Sequence, residues 1–441
     1  MGDPKRDGLA SAPSVERPTT VRYGVLAFLT VMAVLLYLDR VCISMAEDSI
    51  RDALDLSKPE MSVVFSAFFF AYALAQVPSG WLGDRLGARR MLVACVLLWS
   101  VCTALTALAT GFVALVAVRL LFGIGQAGAY PVAARVNSLW MPFSQRAFAS
   151  GMITLGGRAG GALAPALTAS LILAWGDWRP VFWVYAVPGF AWALLFWLWF
   201  RDRPTQHLAC NEAECRLIGA QQAETTSPEG TAGSIPWRDA CRSSSLWMQC
   251  LTQFTTNIAW AFLITWLPTY LKEAHTLELG KTGWLASLPL LVGMVGCVLG
   301  GITTDWLTRR IGLKWGRNLL GMTTKFLATV GVLIALAVNN PYVAIAALSL
   351  TSFAVDLGLG ATWAYFQDTG GPYVGTLLGW ANMFGNFGAA VSPLLLGWLG
   401  SYFGWSWALA ACAILYVLAG LCWLGIDARI PIVREPAPAP Q

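Results

Sequence analysis

Long and almost uninterrupted apolar stretches, separated by short polar segments, dominate this chain. A helix needs about 20 consecutive apolar residues to cross the hydrocarbon core of a bilayer. The stretches are continuously apolar rather than alternating, which predicts an all-α polytopic membrane protein and not a barrel. The predicted spans lie near 22–44, 61–83, 89–109, 112–134, 147–175, 180–200, 246–271, 282–304, 317–338, 341–363, 374–400 and 405–426.

Composition explains why these stretches need a membrane. Hydrophobic residues make up 57% of the 441 residues and charged residues only 12%, against about 25% charged residues in soluble domains. A soluble fold could not hide this much apolar surface, so the lipid bilayer is the expected environment. The net charge of +5 is not gathered in a separate basic domain, and nucleic acid is therefore not expected as a partner.

Basic residues cluster on one side of the predicted spans. They precede the first span and follow the second and eighth spans, as Lys5, Arg6, Arg17, Arg22, Arg85, Arg89, Arg90, Arg309, Arg310, Lys314 and Arg317. The segment after the first span is acidic instead. Because basic loops stay in the cytoplasm, we expect a multi-pass protein of the cell (inner) membrane with both termini cytoplasmic.

The two halves of the chain repeat one loop pattern. Gly80 precedes Asp84 after the second span, Gly301 precedes Asp305 after the eighth span, and paired arginines follow each aspartate. Two related halves around a central site are typical of transporters. The predicted domains are a cytoplasmic tail over 1–21, a six-helix bundle over 22–200, a cytoplasmic linker over 201–245, a second six-helix bundle over 246–426 and a cytoplasmic tail over 427–441.

Several segments resemble one known family. Residues 80–90 are similar to the loop signature of the major facilitator superfamily, and the second copy strengthens this resemblance. Shorter segments resemble the anion:cation symporter family within that superfamily. They are Tyr37-Leu38-Asp39-Arg40 at the end of the first span, Trp140-Met141-Pro142 before the fifth, Ile235-Pro236-Trp237 before the seventh and Trp266-Leu267-Pro268 near its end.

The resemblance implies twelve transmembrane helices in two pseudo-symmetric six-helix bundles around a central cavity. Members of the family include hexuronate, galactonate and glucarate permeases and vesicular glutamate and sialic acid carriers. It therefore implies secondary active transport of small organic anions, first of all sugar acids such as hexuronate, aldonate or aldarate, by proton symport and alternating access. The alternatives are a carrier of another carboxylate or of phosphate without proton coupling, and a transporter-like solute sensor.

Charged residues inside the predicted spans are the main candidates for the site, because each costs at least about 2.5–3.5 kcal/mol at mid-bilayer. Arg40 and Arg119 lie on spans that line the cavity in the resembled fold. A guanidinium stays charged and can bind a carboxylate through two parallel hydrogen bonds, so both residues are predicted to bind the substrate. The alternative is internal pairing, for example of Arg119 with Asp39.

Asp39 is the predicted proton site. An anion that competes for a neighbouring arginine would favour protonation of this carboxylate, which couples the two events; a permanent salt bridge to an arginine is the alternative. Symporters of the resembled family usually carry a glutamate seven residues after Arg119, and this chain has Gln126 instead, which cannot titrate. Coupling therefore rests on Asp39 alone, moves fewer protons, or uses another cation or none.

Arg158 is a second departure from the family pattern and lies in a glycine-rich run of the fifth span. The glycines allow close helix packing, and Arg158 then faces protein or cavity. In the cavity it would bind the substrate as a third positive group and favour a dianion. It could instead pair with Asp356, which could equally form a structural pair with Lys325.

Neutral residues on the cavity-lining spans are further candidates for substrate binding, since hydroxyls, amides and aromatic faces suit sugar acids. They are Tyr37, Tyr72, Asn257, Trp363, Asn382 and Asn386, each of which could instead bond a neighbouring helix. The repeated loop latches one conformation in the resembled superfamily. The residues assigned to gating on that basis are Asp84, Arg85, Arg89 and Asp305.

Signals of other chemistry are weak. Residues 123–128 match a dinucleotide fingerprint, but they lie in a predicted membrane helix without a preceding strand. His207 and His275 lie in loops, so no catalytic triad is expected in the membrane. The ten cysteines are scattered and predict no metal site. We therefore expect no enzyme activity, no cofactor and no obligate protein partner.

Overall fold

The computed structural model describes residues 17–142, 145–223, 237–370 and 374–432, and the regular structure in these ranges is helical. Short 3-10 helices lie at Pro204–Gln206 and Trp423–Gly425. The α-helices are α1 (Val21–Met45), α2 (Glu47–Leu54), α3 (Lys58–Leu86), α4 (Ala88–Ala107), α5 (Phe112–Ala127), α6 (Ala129–Trp140), α7 (Arg146–Trp175), α8 (Arg179–Trp199), α9 (Glu212–Ala223), α10 (Trp237–Arg242), α11 (Ser244–Thr265), α12 (Leu267–His275), α13 (Leu279–Ile311), α14 (Leu313–Ala337), α15 (Pro341–Thr369), α16 (Val374–Tyr402) and α17 (Trp405–Cys422).

Eleven helical stretches among the described residues are long and apolar enough to cross a membrane, and they coincide with eleven of the predicted spans. The remaining predicted span, 246–271, folds as α11 and α12. Gln249, Gln253 and Asn257 recur every four residues on one face of α11, and their polarity lowers the hydropathy of that helix. The all-α membrane fold is confirmed, and the count of twelve spans stays a prediction.

Large apolar side chains face outward on these helices. Val113 is 78% exposed, Val77 68% and Trp407 62%, although all three lie inside candidate spans. Such surface is unfavourable in water and favourable against hydrocarbon. The apolar excess of the sequence therefore lies where lipid would cover it.

Glycines with positive φ mark a repeated chain path in the two halves. Gly87 (φ 84°) joins α3 to α4, and Gly312 (φ 83°) joins α13 to α14. Gly176 (φ 69°) joins α7 to α8, and Gly404 (φ 92°) joins α16 to α17. Side chains with a Cβ disfavour this conformation. Gly87 and Gly312 also share an extended ψ (151° and 169°), whereas Gly176 and Gly404 differ in ψ (4° and 161°). The connection at Gly87 and Gly312 thus turns alike in both halves, which supports the predicted duplication.

The two halves pack against each other chiefly along two helix pairs. Helix α7 packs against α1 in its own half and against α13 in the other, while α3 packs against α16. Gly160 lets α7 approach α1 closely, because a Cβ at this position would collide with the carbonyl of Val34. Gly123, which belongs to the sequence 123–128 that matches a dinucleotide fingerprint, lets α5 approach α3 in the same way. A Cβ at this position would lie 2.5 Å from the carbonyl oxygen of Phe68.

The segment between the bundles is tied to the start of the first. Arg22 at the beginning of α1 forms an ion pair of 2.8 Å with the buried Glu214 of α9. Three parts of the predicted tails and linker, 1–16, 224–236 and 433–441, lie outside the described residues. The predicted domain boundaries are not tested by these contacts and stay predictions.

Candidate functional site

Arg40 of α1 and Arg119 of α5 lie where the first half meets α11 of the second. They are 8% and 3% exposed and line one small cavity between α1, α3, α5 and α11, about the size of a single water molecule. The cavity wall also includes Phe65 and Phe68 of α3 and Thr265 of α11. The two arginines that the sequence predicted to act together are therefore neighbours.

The guanidinium of Arg40 is enclosed by aromatic rings. It lies 4.7 Å from the ring centre of Tyr37, 4.8 Å from that of Tyr72 and 5.0 Å from that of Phe68. Aromatic faces attract a cation and hold it without using its N–H donors. The buried Nη2 of Arg40 has no hydrogen-bond partner among the described residues, so this donor remains available to an anion.

Asp39 and Arg119 do not form the salt bridge that was the alternative to substrate and proton binding. Both carboxylate oxygens of Asp39 are buried without a hydrogen-bond partner in the described part of the chain, and so is Nε of Arg119. No ion pair within 4.0 Å joins them there. A buried, unpaired ionic group is costly, which marks both groups as functional candidates.

Gln126 of α5 is fixed between Arg40 and the backbone. Its side-chain oxygen accepts a hydrogen bond of 3.0 Å from Nε of Arg40, and its amide nitrogen donates one of 2.9 Å to the carbonyl of Leu36. Gln126 is fully buried. The residue that replaces the family's glutamate thus positions Arg40 as a neutral acceptor.

Arg158 of α7 pairs with Asp356 of α15, one of the alternatives that the sequence left open. Nη2 of Arg158 lies 2.5 Å from Oδ1 of Asp356, and the pair joins the two halves inside the membrane. The guanidinium also lies 5.0 Å from the ring centre of Trp260. Lys325 is 5% exposed, and its side-chain ammonium group forms neither a hydrogen bond nor an ion pair with any described residue.

The neutral candidates lie in two different settings. Tyr37 and Tyr72 flank Arg40, as described above. Asn257 donates to the carbonyl of Gln253 in its own helix (2.8 Å), and Asn386 donates to that of Asn382 (2.9 Å). Both bonds lie within a single helix, so among the described residues neither side chain makes the bond to a neighbouring helix that was the alternative to substrate contact.

Asn382 and Trp363 remain accessible. Asn382 donates a hydrogen bond of 3.3 Å to Gln76 of α3, across the interface between the halves. Trp363 is 46% exposed on α15. Neither residue forms part of the cavity that holds Arg40 and Arg119, so the structure does not bring all the predicted site residues together.

The loop residues assigned to gating make local contacts. Arg85 stacks on Trp81, 4.0 Å from its ring centre, and the backbone N–H of Arg89 donates to Asp202 (2.9 Å). Asp305 lies 3.4 Å from Arg317, which also pairs with Asp368 at 2.9 Å. The side chain of Asp84 lies outside the described part of the structure, and the gating assignment stays a prediction.

The two copies of the loop differ in one respect that the sequence pattern did not reveal. Arg89 and Arg90 follow the turn glycine and begin α4, whereas Arg309 and Arg310 precede the equivalent glycine and end α13. The paired arginines therefore occupy opposite sides of the turn in the two halves.

A polar contact of α2 and the first residue of α3 with α12 was missed by sequence reasoning. Its residues are Glu47, Asp48 and Lys58 in the first half and Thr269, Lys272 and Glu273 in the second. Lys272 pairs with Asp48 at 2.8 Å, Lys58 pairs with Glu273 at 2.5 Å, and the Thr269 hydroxyl donates to Glu47 at 2.8 Å. We call this the α2–α12 contact. The acidic segment after the first span was the available signal for it.

Comparison with known families decides the identity of this helical arrangement. Residues 29–391 match the family model described as Major Facilitator Superfamily. The chain belongs to the major facilitator superfamily. As a member of this superfamily of transporters it is not an enzyme, and it is a multi-pass membrane protein.

Curated members of the superfamily resemble the chain over most of their length. It is 34% identical over 390 residues to the "Probable sulfoacetate transporter SauU" of Cupriavidus necator, covering 86% of this chain and 89% of that protein. It is 30% identical to the "Probable galactarate/D-glucarate transporter GudP" of Escherichia coli K12, covering 96% and 97%. It is 29% identical to the "Hexuronate transporter" of Bacillus subtilis 168, covering 94% and 96%.

Solved structures of superfamily members share the fold. A bacterial homologue of the human lysosomal transporter Spinster superposes with a TM-score of 0.77 at 19% identity, covering 95% of this chain and 99% of that one. A D-xylose-proton symporter superposes with a TM-score of 0.75 at 14% identity, covering 93% and 99%. The predicted fold is therefore confirmed.

Proposed function

We propose that this chain is a secondary active transporter that carries small organic anions by alternating access and binds them at Arg40 and Arg119. The observation that carries the proposal is the pair of buried guanidinium groups, 8% and 3% exposed, which have no carboxylate partner among the described residues. The names of the relatives, which refer to sulfoacetate, galactarate or glucarate, and hexuronate, support the anionic substrate. Sugar acids are the first substrates to test, and short sulfonated or dicarboxylic acids are the second.

Asp39 is the proposed proton-coupling residue. It is 2% exposed and carries no hydrogen bond on its carboxylate in the described part of the chain, so an anion that binds the neighbouring arginines can change its protonation. Gln126 cannot add a second titratable group at the site. A carrier without proton coupling is therefore the second candidate, and Gln126 is the observation that favours it. The proposed location is the cell (inner) membrane with both termini cytoplasmic, supported by the basic loops.

Uptake into proteoliposomes tests the proposal. Wild-type protein should take up at least one labelled anion of the hexuronate, aldarate and sulfocarboxylate classes, and Arg40→Ala should abolish that uptake. Arg429→Ala is the matched control, because Arg429 is exposed and pairs with Asp427 outside the spans. Full uptake by Arg40→Ala would refute the binding site. Uptake that changes neither with a pH gradient nor with a protonophore would refute proton coupling and favour a carrier without proton coupling.

A further inference from the structure

Three buried charges meet where α7 of the first half reaches α14 and α15 of the second. Arg158 and Asp356 form the ion pair of 2.5 Å described above, with side chains 11% and 1% exposed. Lys325 of α14 lies against α15, since its Nζ is 3.8 Å from the position of a Cβ on Gly358. Asp356 and Lys325 interact electrostatically without direct contact. We call these three residues the cross-half cluster.

The cross-half cluster and the Arg40 site carry the same charge balance. Arg40, Arg119 and Asp39 are two cations and one carboxylate. Arg158, Lys325 and Asp356 are again two cations and one carboxylate. Each group is thus one positive charge in excess, in surroundings where an uncompensated charge is costly. As long as Asp39 and Asp356 are ionised, one anionic group would neutralise each cluster, so both clusters together fit a ligand with two such groups before Asp39 takes up a proton.

The two clusters border one region of the protein. Tyr37 lies under the guanidinium of Arg40 at 4.7 Å, and its ring also packs against Gly157, the residue before Arg158, where a Cβ would lie 2.9 Å from the ring. The hydroxyl of Tyr130 would lie 2.5 Å from that Cβ. Tyr130 is within electrostatic reach of both Arg40 and Arg158. A small molecule in contact with these tyrosines would therefore lie close enough to interact with the charges of both clusters.

The cross-half cluster also has unused bonding capacity. Nη1 of Arg158, Oδ2 of Asp356 and Oγ of Ser352 are buried without a hydrogen-bond partner in the described part of the chain. Both Oδ2 of Asp356 and Oγ of Ser352 lie beside Gly293, at 2.5 and 2.7 Å from its Cβ position. An incoming anionic group can form an ion pair with Arg158 while the carboxylate of Asp356 turns towards Lys325. Every charge of the cluster then has a partner.

We infer that Arg158, Asp356 and Lys325 form a second anion subsite, so that the transported molecule is a small dianion with one acidic group at each cluster. This inference rests on the proposed function, because it assumes that the first acidic group binds Arg40 and Arg119. The ligand class is a dicarboxylate or a sulfonated carboxylate. A monoanion would leave the cross-half cluster one charge in excess.

Two matched pairs of anions test the inference on the purified full-length protein. Glucarate and gluconate share a six-carbon backbone and differ in one carboxylate, and sulfoacetate and acetate differ in the sulfonate. In at least one pair the dianion should bind about 30-fold more tightly than the monoanion, as expected for a fully buried charge pair. In Arg158→Gln the ratio of the two affinities should fall towards one. Equal affinities for both members of both pairs in the wild type would overturn the inference.

A second measurement keeps the test independent of folding. Thermal unfolding without ligand shows whether Arg158→Gln retains the fold, and Arg429→Gln is the same chemical change at an exposed position. Lys325→Met removes the excess cation while it keeps the Arg158–Asp356 pair, and it should also lower the ratio. If both site variants keep the wild-type ratio, the second subsite is refuted. If the wild type binds no anion of either pair, the proposed function fails instead.

Discussion

The charges in the centre of the protein and the charges at the α2–α12 contact are satisfied in different ways. In the centre, Asp39 and Arg119 are 2% and 3% exposed and form no ion pair with a described residue. At the α2–α12 contact, Asp48 pairs with Lys272 and Glu273 pairs with Lys58, and these side chains are 18–31% exposed. Both regions lie where the two halves approach each other, so their difference is chemical.

This difference indicates two separate tasks. A buried charge without a partner is expensive to maintain, and its partner is expected to be the substrate or a proton. A partly exposed ion pair contributes little to stability but must separate when the two halves rock apart at that end. We therefore infer that the central charges set affinity and coupling, while the charges of the α2–α12 contact set the balance between conformations.

Replacement of Arg119 should have the largest effect. Arg119→Gln is expected to lower the initial rate of anion uptake by at least about 100-fold, since loss of one partner of a buried charge pair costs about 2–5 kcal/mol. Uptake of labelled substrate into proteoliposomes measures it. Arg119→Lys keeps the charge without the planar fork and should give an intermediate rate. Wild-type uptake by Arg119→Gln would place the central charges outside the binding site.

Replacement of Asp39 should separate coupling from binding. Asp39→Asn is expected to abolish accumulation against a gradient, because the amide cannot exchange a proton, while counterflow of labelled substrate falls by less than about tenfold. The loss of a neutral hydrogen bond typically costs about 0.5–1.5 kcal/mol, and about 1.4 kcal/mol corresponds to a tenfold change in affinity. Both assays use the same proteoliposomes, with and without a pH gradient. Retained accumulation would show that the unpaired carboxylate has another function.

The sequence predicts the fold well because its signals are local. Eleven of the predicted spans appear as helical stretches long and apolar enough to cross a membrane, since lipid demands about 20 apolar residues for each of them; one of the eleven is divided at Gly128 into α5 and α6. The break between α11 and α12 at Trp266 was not predicted, because a break inside one apolar stretch depends on packing.

The site is predicted in part, because its contacts join distant segments. Arg40 and Gln126 are 86 residues apart, and Arg158 and Asp356 are 198 residues apart. Intramembrane charges are rare enough that the sequence identifies them, but it leaves open which ones pair. It allowed for Asp39 to bind Arg119 and for Asp356 to bind Lys325 or Arg158, and only the Arg158–Asp356 pair is present as a direct contact among the described residues.

A carboxylate at position 126 would test whether the guanidinium of Arg40 is free to bind the anion. Gln126→Glu should weaken anion binding about tenfold at pH 8, because an ionised carboxylate would compete for Arg40. At lower pH the protonated carboxyl could donate to the carbonyl of Leu36, as the amide does now, and affinity should recover. Ligand titration between pH 5 and 8 measures it. A variant with unchanged affinity and pH dependence would contradict this account of Arg40.

Glu47 should make the α2–α12 contact sensitive to pH. Burial and the neighbouring Asp48 raise the pKa of Glu47 from 4.5 to about 8, with Arg51 and the Thr269 hydroxyl acting in the opposite direction. The closed contact therefore holds a proton that a hydrated Glu47 would lose above pH 4.5. Closure is fully favoured below about pH 4.5 and is lost as the pH rises through about 8, by at most about tenfold per pH unit.

Spin labels at the exposed Ala53 of α2 and Ala274 of α12 would report this equilibrium as a distance distribution. The long-distance population should grow between pH 5 and 8 in the wild type. Glu47→Gln, which mimics the protonated form, should show the same distribution at every pH. A pH response that persists in Glu47→Gln would assign the titration to another group. Asp48 would titrate below this window, because its hydrogen bond with Glu47 and the nearby Lys272 outweigh burial and lower its pKa.

The smallest effect is expected for Lys272. Lys272→Ala removes a pair whose side chains are 18% and 25% exposed, and pairs of this kind contribute about 0–1 kcal/mol. Substrate affinity should stay within about twofold, while the label distances shift slightly towards the open form. Lys281→Ala is the control, since Lys281 lies 3.9 Å from Glu278 in a more exposed pair. A tenfold loss of affinity in Lys272→Ala would mean that the charges of the α2–α12 contact also bind substrate. The proposed separation between central charges that bind substrate and α2–α12 charges that set the conformational balance would then be wrong.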